Sequence, residues 1–208
     1  MAIKNIAGQP VRGDNFFDRP ALVREFQKKI DSGGSILISA PRRVGKTSLM
    51  FHVHDIGMDG FYFIHMITES INSENEYFKH ILHRILDTEF LNIFEKQSKK
   101  AFHVLKDWAG RISEIGIKKI KFAEGHSLDY RQEFINLIKE IDLEGKKLVL
   151  MVDEFSQAVE NIIEDEGKRQ AIHFLQSNRE LRQNDDITGK LQFVFAGSIG
   201  LENIVSRL

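Results

Sequence analysis

The chain has 208 residues, 42% of them hydrophobic and 28% charged, with a formal net charge of −1. These values place it among ordinary globular proteins, with length enough for one generous domain and a buried core. Cysteine is absent, which excludes disulfide staples, thiol nucleophiles and thiolate-bound metals, and the balanced charge gives no global attraction to nucleic acid or membrane.

Residues 1–10 lack the apolar segment of a signal peptide, and no apolar run approaches the roughly 20 residues a membrane helix needs. No membrane association and a cytoplasmic location are expected. In chain order, residues 20–30 are predicted to form the first helix. Pro20 suits a first turn, Leu22, Val23, Phe26 and Ile30 share one face, and Ser32-Gly33-Gly34 ends it. Residues 35–40 read as a short buried strand, 41–45 as a loop, 46–54 as a helix and 61–67 as a second strand. Ser73 and Glu76 have capping-box spacing, and Tyr77, Phe78, Ile81, Leu82, Ile85 and Leu86 then keep one apolar face. Residues 89–108 are expected to be helical. Residues 112–125, where isoleucines sit among lysines, are expected to form a small β-ribbon or an insertion, the insertion lying near 95–127. A helix is predicted over 129–141 and another over 168–183. The strongest buried strand is 147–152, which runs straight into Asp153-Glu154. A further strand over 191–196 ends at Gly197-Ser198, and residues 199–208 begin one more helix. Apolar strands alternating with helices predict an α/β protein, a mainly parallel sheet in a three-layer αβα arrangement.

Two strand ends carry chemistry. Ala40 to Thr47 reads A-P-R-R-V-G-K-T, which matches the phosphate-loop pattern G-x-x-x-x-G-K-[ST] except that Ala40 stands at the first glycine. In such a loop backbone N–H groups surround phosphate oxygens, Gly45 permits a conformation other residues resist, and the following helix aims its positive end at the anion. Lys46 reaches the β- and γ-phosphates, and the Thr47 hydroxyl can ligate Mg²⁺. The apolar strand ending in Asp153-Glu154 provides the acidic partner. Asp153, at a strand C-terminus, faces the cleft where open α/β sheets bind ligands and can hold Mg²⁺ directly or through water. Glu154 can orient and deprotonate an attacking water. Ser198 ends the next strand and can contact the γ-phosphate or that water.

The loop P-R-R-x-G-K-T-S, the strand ending Asp-Glu and the strand ending Gly-Ser-x-Gly together resemble the AAA+ class of P-loop ATPases, more narrowly the archaeal-type ATPases near the STAND signalling group. Phe16-Phe17-Asp18-Arg19-Pro20-Ala21-Leu22 resembles the F-x-G-R-E-x-E-L segment that opens those modules near the adenine, with Asp18 where Gly is usual and Pro20 where Glu is usual. The resemblance covers roughly residues 11–208. It implies ATP and Mg²⁺ as ligands and a sheet of order 5-1-4-3-2. It implies that Pro41, Arg42, Arg43, Val44, Gly45, Lys46, Thr47, Ser48 and Arg19 bind nucleotide, and that Thr47 and Asp153 serve the metal. Glu154 is then the catalytic base and Ser198 the sensor. Four core strands are legible in the sequence, so the family's fifth strand and helical lid are expected beyond residue 208. The chain is then the N-terminal part of a longer ATPase, completed by C-terminal domains or by self-association.

Other readings compete. An ATP/ADP-binding switch or scaffold with little turnover uses the same residues. Arg179, Arg182 and Arg207 are candidate trans-acting arginines, but a solvated helix face explains each equally well. A GTPase would need an N-K-x-D base reader, which is missing. Small-molecule kinases share the loop, but Asp153-Glu154 favours water as the acceptor. Lys96, Lys99, Lys100, Lys106, Arg111, Lys118, Lys119 and Lys121, near Trp108 and Phe122, outnumber four neighbouring acids. Such a stretch could track a nucleic-acid backbone, although a solvated face accounts for it more simply. His80 and His83 sit three apart on a helix with no third ligand placed beside them.

Overall fold

The computed structural model describes residues 9–121, 128–198 and 200–208. The chain divides into two compact units, one formed by residues up to Ser73 with Lys146–Leu208, the other by Glu74–Gly145. The first unit holds a four-stranded sheet, β1 (Ile36–Ser39), β2 (Phe61–Ile67), β3 (Lys147–Asp153) and β4 (Leu191–Gly197). The order is β1-β4-β3-β2 and all three pairings are parallel. This is the 1-4-3-2 part of the sheet the resemblance implies, and among the described residues β1 lies at the sheet edge.

Strand periodicity assigns the faces. Val149 and Met151 of β3, Val194 and Ala196 of β4 and Phe63 of β2 join one cluster with Val23, Phe26 and Ile30 of α1 (Pro20–Asp31) and Leu49, Met50 and Val53 of α2 (Lys46–Ile56). Alternate residues point the other way. There Phe195 stacks obliquely on Phe155 of α7 (Phe155–Asp165) at 4.5 Å, and Phe155 meets Phe174 of α8 (Lys168–Gln183) at 5.5 Å. A sheet covered on both faces cannot alternate polar and apolar residues, which is why β3 and β4 are buried along their lengths. Two short helices, α9 (Asp185–Thr188) and α10 (Leu201–Val205), also belong to this unit.

The second unit contains α3 (Glu74–Ile85), α4 (Thr88–Gln97), α5 (Lys99–Lys121) and α6 (Tyr130–Glu140). Phe78 of α3 meets Phe134 of α6 at 5.8 Å. The helical stretch expected over 89–108 is broken at Ser98, whose buried hydroxyl donates to Glu144 Oε1 at 2.7 Å and accepts from the Ala101 N–H at 3.3 Å. That is the work of a helix-starting serine. The β-ribbon expected from residue 112 is corrected: α5 continues to Lys121. Ala101, Leu105, Trp108 and Ile112 are all buried, so the helical face set before residue 112 carries on through it, and the alternation of Ile and Lys does not decide the local structure. Residues 122–125 of the expected ribbon lie outside the described residues. Trp108 Nε1 donates to Glu140 Oε2 of α6 at 2.9 Å, and the Arg111 guanidinium lies 5.1 Å above the Trp108 ring.

The aromatic contacts on the α7–α8 side set an expectation. Phe174 is fully buried, and Phe174→Ala should cost about 3–5 kcal/mol of unfolding free energy in urea titrations. Leu37→Ala, at a position 50% exposed on β1, should stay within about 1 kcal/mol.

Candidate functional site

Parallel pairing brings the C-terminal ends of all four strands to one edge of the sheet, and the loop after β1 turns there into α2. Gly45, immediately before α2, has φ +88°, and Arg43, two residues earlier, has φ +66°. Left-handed residues alternating with others curl successive N–H groups inward and make a concavity suited to an anion. The backbone angle of Gly45 resists a side chain, and a Cβ there would stand 2.7 Å from Arg19 Nη2, the mobile end of a side chain that can give way. Arg19 caps the arrangement by donating to the Val44 carbonyl at 3.0 Å. Lys46 is buried, and its Nζ donates to the Ala40 and Pro41 carbonyls of its own loop at 2.8 and 2.9 Å.

Thr47, in the first turn of α2, meets the end of β3. Its hydroxyl donates to Asp153 Oδ2 at 2.5 Å, while Asp153 Oδ1 accepts the Glu154 N–H at 3.0 Å. Asp153 is almost fully buried. Burial on its own would raise the Asp153 pKa, but His65 and Thr47, with the Glu154 N–H, outweigh it and hold the carboxyl below its ordinary value. A third contact lies beyond the strand ends. Glu154 takes a left-handed conformation, φ +55°, at the start of α7. Its Oε2 accepts from Ser198 Oγ at 3.0 Å, and Ser198 Oγ accepts from Arg42 Nε at 3.3 Å.

A cleft of about 630 Å³ opens over the loop, lined in part by residues 42–48, Arg19 and Glu154. Arg42, Arg43, Val44, Gly45, Lys46, Thr47, Ser48, Arg19 and Glu154 thus all line one cleft. Pro41 belongs to the loop through its carbonyl, Ser198 joins through Glu154, and Asp153 through Thr47. Ser48 differs in orientation, because its hydroxyl accepts the Val11 N–H at 3.1 Å. The arginines weighed as trans-acting groups lie elsewhere. Arg207 pairs with Glu160 at 2.8 Å, Arg182 sits 5.7 Å over the Phe195 ring, and Arg179 is exposed on α8. In the basic stretch, Lys100 and Arg111 each stand 4.0 Å from an acid, Asp142 and Glu140 respectively. Burial lowers the pKa of His80 and of His83, with Arg84 and His83 adding to the first and Lys79 to the second. Among the described residues no cluster of three or more His, Asp or Glu could hold a metal.

Gln9, Pro10 and Val11 line the cleft without any signal in the sequence motifs, and Phe16 and Phe17 join them from the segment whose resemblance is noted above. This strap is fastened to α2 by Phe16 stacked on His52 at 4.0 Å and by Arg12 lying 4.0 Å over the Phe51 ring. Glu69 also lines the cleft, and Thr68 Oγ1 donates to the Asp153 carbonyl at 2.8 Å. Their position was available in principle, since residues just after any strand of a parallel sheet share this edge.

No protein-family model matches the chain, and no curated protein does. Solved structures do. The Walker-type ATPase of Pyrococcus abyssi aligns with 93% of this chain and 49% of its own at a TM-score of 0.58 and 17% identity. The ORC2 protein of Aeropyrum pernix, solved as ADPNP–ADP complexes, aligns with 86% of this chain and 39% of its own at a TM-score of 0.46 and 14% identity. The fold is that of the P-loop NTPases. The chain spans about half the length of the Pyrococcus structure it matches.

Two outcomes test the geometry without any ligand. Gly45→Ala should destabilise the protein by about 1 kcal/mol through its backbone angle, and most of that cost should persist in an Arg19→Ala background, because the guanidinium can swing aside. Denaturant melts of the double-mutant cycle measure it. Asp153 is the second case. Its folded pKa is depressed, so its contribution to stability is complete above the ordinary carboxylate value and is lost as pH falls through the lower, folded value. The stability difference between wild type and Asp153→Asn should therefore be flat around neutrality and shrink only in acid, as read from urea melts across pH.

Proposed function

We propose that the chain binds ATP with Mg²⁺ and hydrolyses it. The observation that carries the reading is the meeting of Thr47 with Asp153 at 2.5 Å directly behind a loop curled by Arg43 and Gly45. A hydroxyl and a carboxylate form a hard-oxygen pair of the kind Mg²⁺ accepts when phosphates and water complete its shell. Thr47 and Asp153 would hold the ion, which when bound neutralises charge on the β- and γ-phosphate oxygens.

The remaining work falls to the chain itself. The N–H groups of the loop and the start of α2 bind phosphate oxygens. Lys46 trades its two loop carbonyls for the β- and γ-phosphates. The strap around Phe16 and Phe17, with Arg19, forms the wall available to the base and sugar. Glu154 orients the attacking water and accepts its proton. In the resting geometry the Glu154 carboxylate is held by Ser198, and Ser198 by Arg42, so a γ-phosphate that draws Arg42 or Ser198 away frees the base. That same tie favours a second reading, an ATP/ADP switch in which Glu154 stays held and turnover is slight.

Calorimetry and phosphate release separate the readings. Lys46→Ala should weaken ATP binding by roughly 10–100-fold, the value of a charged hydrogen-bonding group. Glu154→Gln should keep ATP binding and lower turnover by about 10²–10⁴-fold. Wild-type binding without turnover would favour the switch, and no ATP binding by wild type would overturn both.

A further inference from the structure

One buried polar side chain lies behind the cleft and takes no part in the chemistry described above. His65 is the imidazole in an otherwise apolar strand, F-Y-F-I-H-M-I, and it is buried. In the parallel register it stands opposite Met151, two residues before Asp153, while Ile67 stands opposite Asp153. Residues 63, 65 and 67 share a face, and Phe63 belongs to the cluster under α1 and α2. The alternation therefore sends the His65 ring to the same side of the sheet as Asp153 and Thr47.

The contacts agree with that placement. His65 Nε2 lies 3.7 Å from Asp153 Oδ2, the oxygen that also accepts the Thr47 hydroxyl. On its other side the ring packs on Phe51 at 4.4 Å, and Phe51 lies one turn beyond Thr47 on α2 with the Arg12 guanidinium over its face. Asp153 Oδ1 is fixed by the Glu154 N–H, so the orientation of the carboxylate turns on what borders Oδ2. Thr47 reaches Oδ2 from the cleft side, and His65 reaches it from the core side. A tilt of the ring closing about 0.7 Å brings Nε2 to hydrogen-bonding distance. Partners behind a ligating carboxylate set its direction and its affinity for the ion.

We propose that His65 is the positioning residue for Asp153, braced by Phe51 and holding Oδ2 from the core side so that the carboxylate meets a divalent cation in the correct orientation. The inference rests on the reading of Thr47 and Asp153 as the cation pair. It adds a residue that follows from neither the loop pattern nor the acidic strand end, and it ties the cation to the N-terminal strap through Arg12 and Phe51.

The test is Mn²⁺ affinity by electron paramagnetic resonance, with a non-hydrolysable ATP analogue present, alongside analogue affinity without metal. His65→Gln and His65→Met have nearly the same shape, and only Gln carries a donor. The Met variant should bind Mn²⁺ about 10-fold more weakly than wild type with analogue affinity unchanged, and the Gln variant should stay within about threefold of wild type. If Met proves unstable in thermal melts, His65→Asn against His65→Leu repeats the comparison with a second isosteric pair. Equal Mn²⁺ affinity for donor and non-donor variants would overturn the positioning role and leave the ATPase reading standing. A wild-type chain that binds the analogue but no Mn²⁺ would overturn the cation pair and this inference with it. A wild type that binds neither would overturn the function proposed above.

Discussion

A buried carboxylate must be answered by donors, and in this chain the answer to Asp153 organises everything around it. The Thr47 hydroxyl of α2 and the Glu154 N–H at the start of α7 donate to it, and His65 of β2 lies 3.7 Å away. Three separate stretches of chain are thus committed to one side chain at the end of β3. An unpaired ionised group at this depth would be strongly destabilising. The positions of α2 and β2 against β3 are consequently held by polar contacts as well as by apolar packing.

The rest of the unit follows from the sheet that carries this residue. Parallel strands need crossovers, crossovers bring helices to both faces, and covered faces demand strands apolar throughout. Polar groups are then pushed to the strand ends, and in a parallel sheet the ends are collected at one edge. Ser39, Thr68, Asp153 and Ser198 stand at or just past the ends of β1, β2, β3 and β4. The cleft is the outcome of topology first and of particular side chains second. A neighbour only 17% identical can share the architecture on those terms.

How much of this is legible in the sequence depends on how local the signal is. The loop from Ala40 to Thr47 and the strand into Asp153-Glu154 are each a contiguous motif, and the need of a phosphate loop for an acidic strand end pairs them. The strands over 61–67 and 147–152 are visible as apolar runs, and the helix over 168–183 as a periodic one. By contrast, α7 is not visible as a separate element. Phe155, Ala158, Val159 and Ile162 have helical spacing, but the stretch begins inside the acidic motif and offers no capping side chain, since Glu154 starts it in a left-handed conformation. The same limit explains α5, where a run of Ile and Lys suits a strand locally and the buried face begun at Ala101 decides otherwise. The strap at Val11, Arg12 and Phe16 is held by contacts to residues some 36 to 39 positions away on α2, and nothing in either stretch alone announces the other. His65 reads as an odd residue in an apolar strand until the register places it diagonal to Asp153.

The capping of Lys46 by the Ala40 and Pro41 carbonyls has a consequence for what the cleft admits. An ammonium has three N–H donors, and two of them are spent on these carbonyls. One donor is left over, so the resting loop offers a single directed hydrogen bond from Lys46 rather than an open positive sink. A group that asks two bonds of this ammonium must displace a carbonyl, and the displaced oxygen then needs another donor. The two backbone oxygens thereby limit the reach of the lysine until something outside the loop outweighs them.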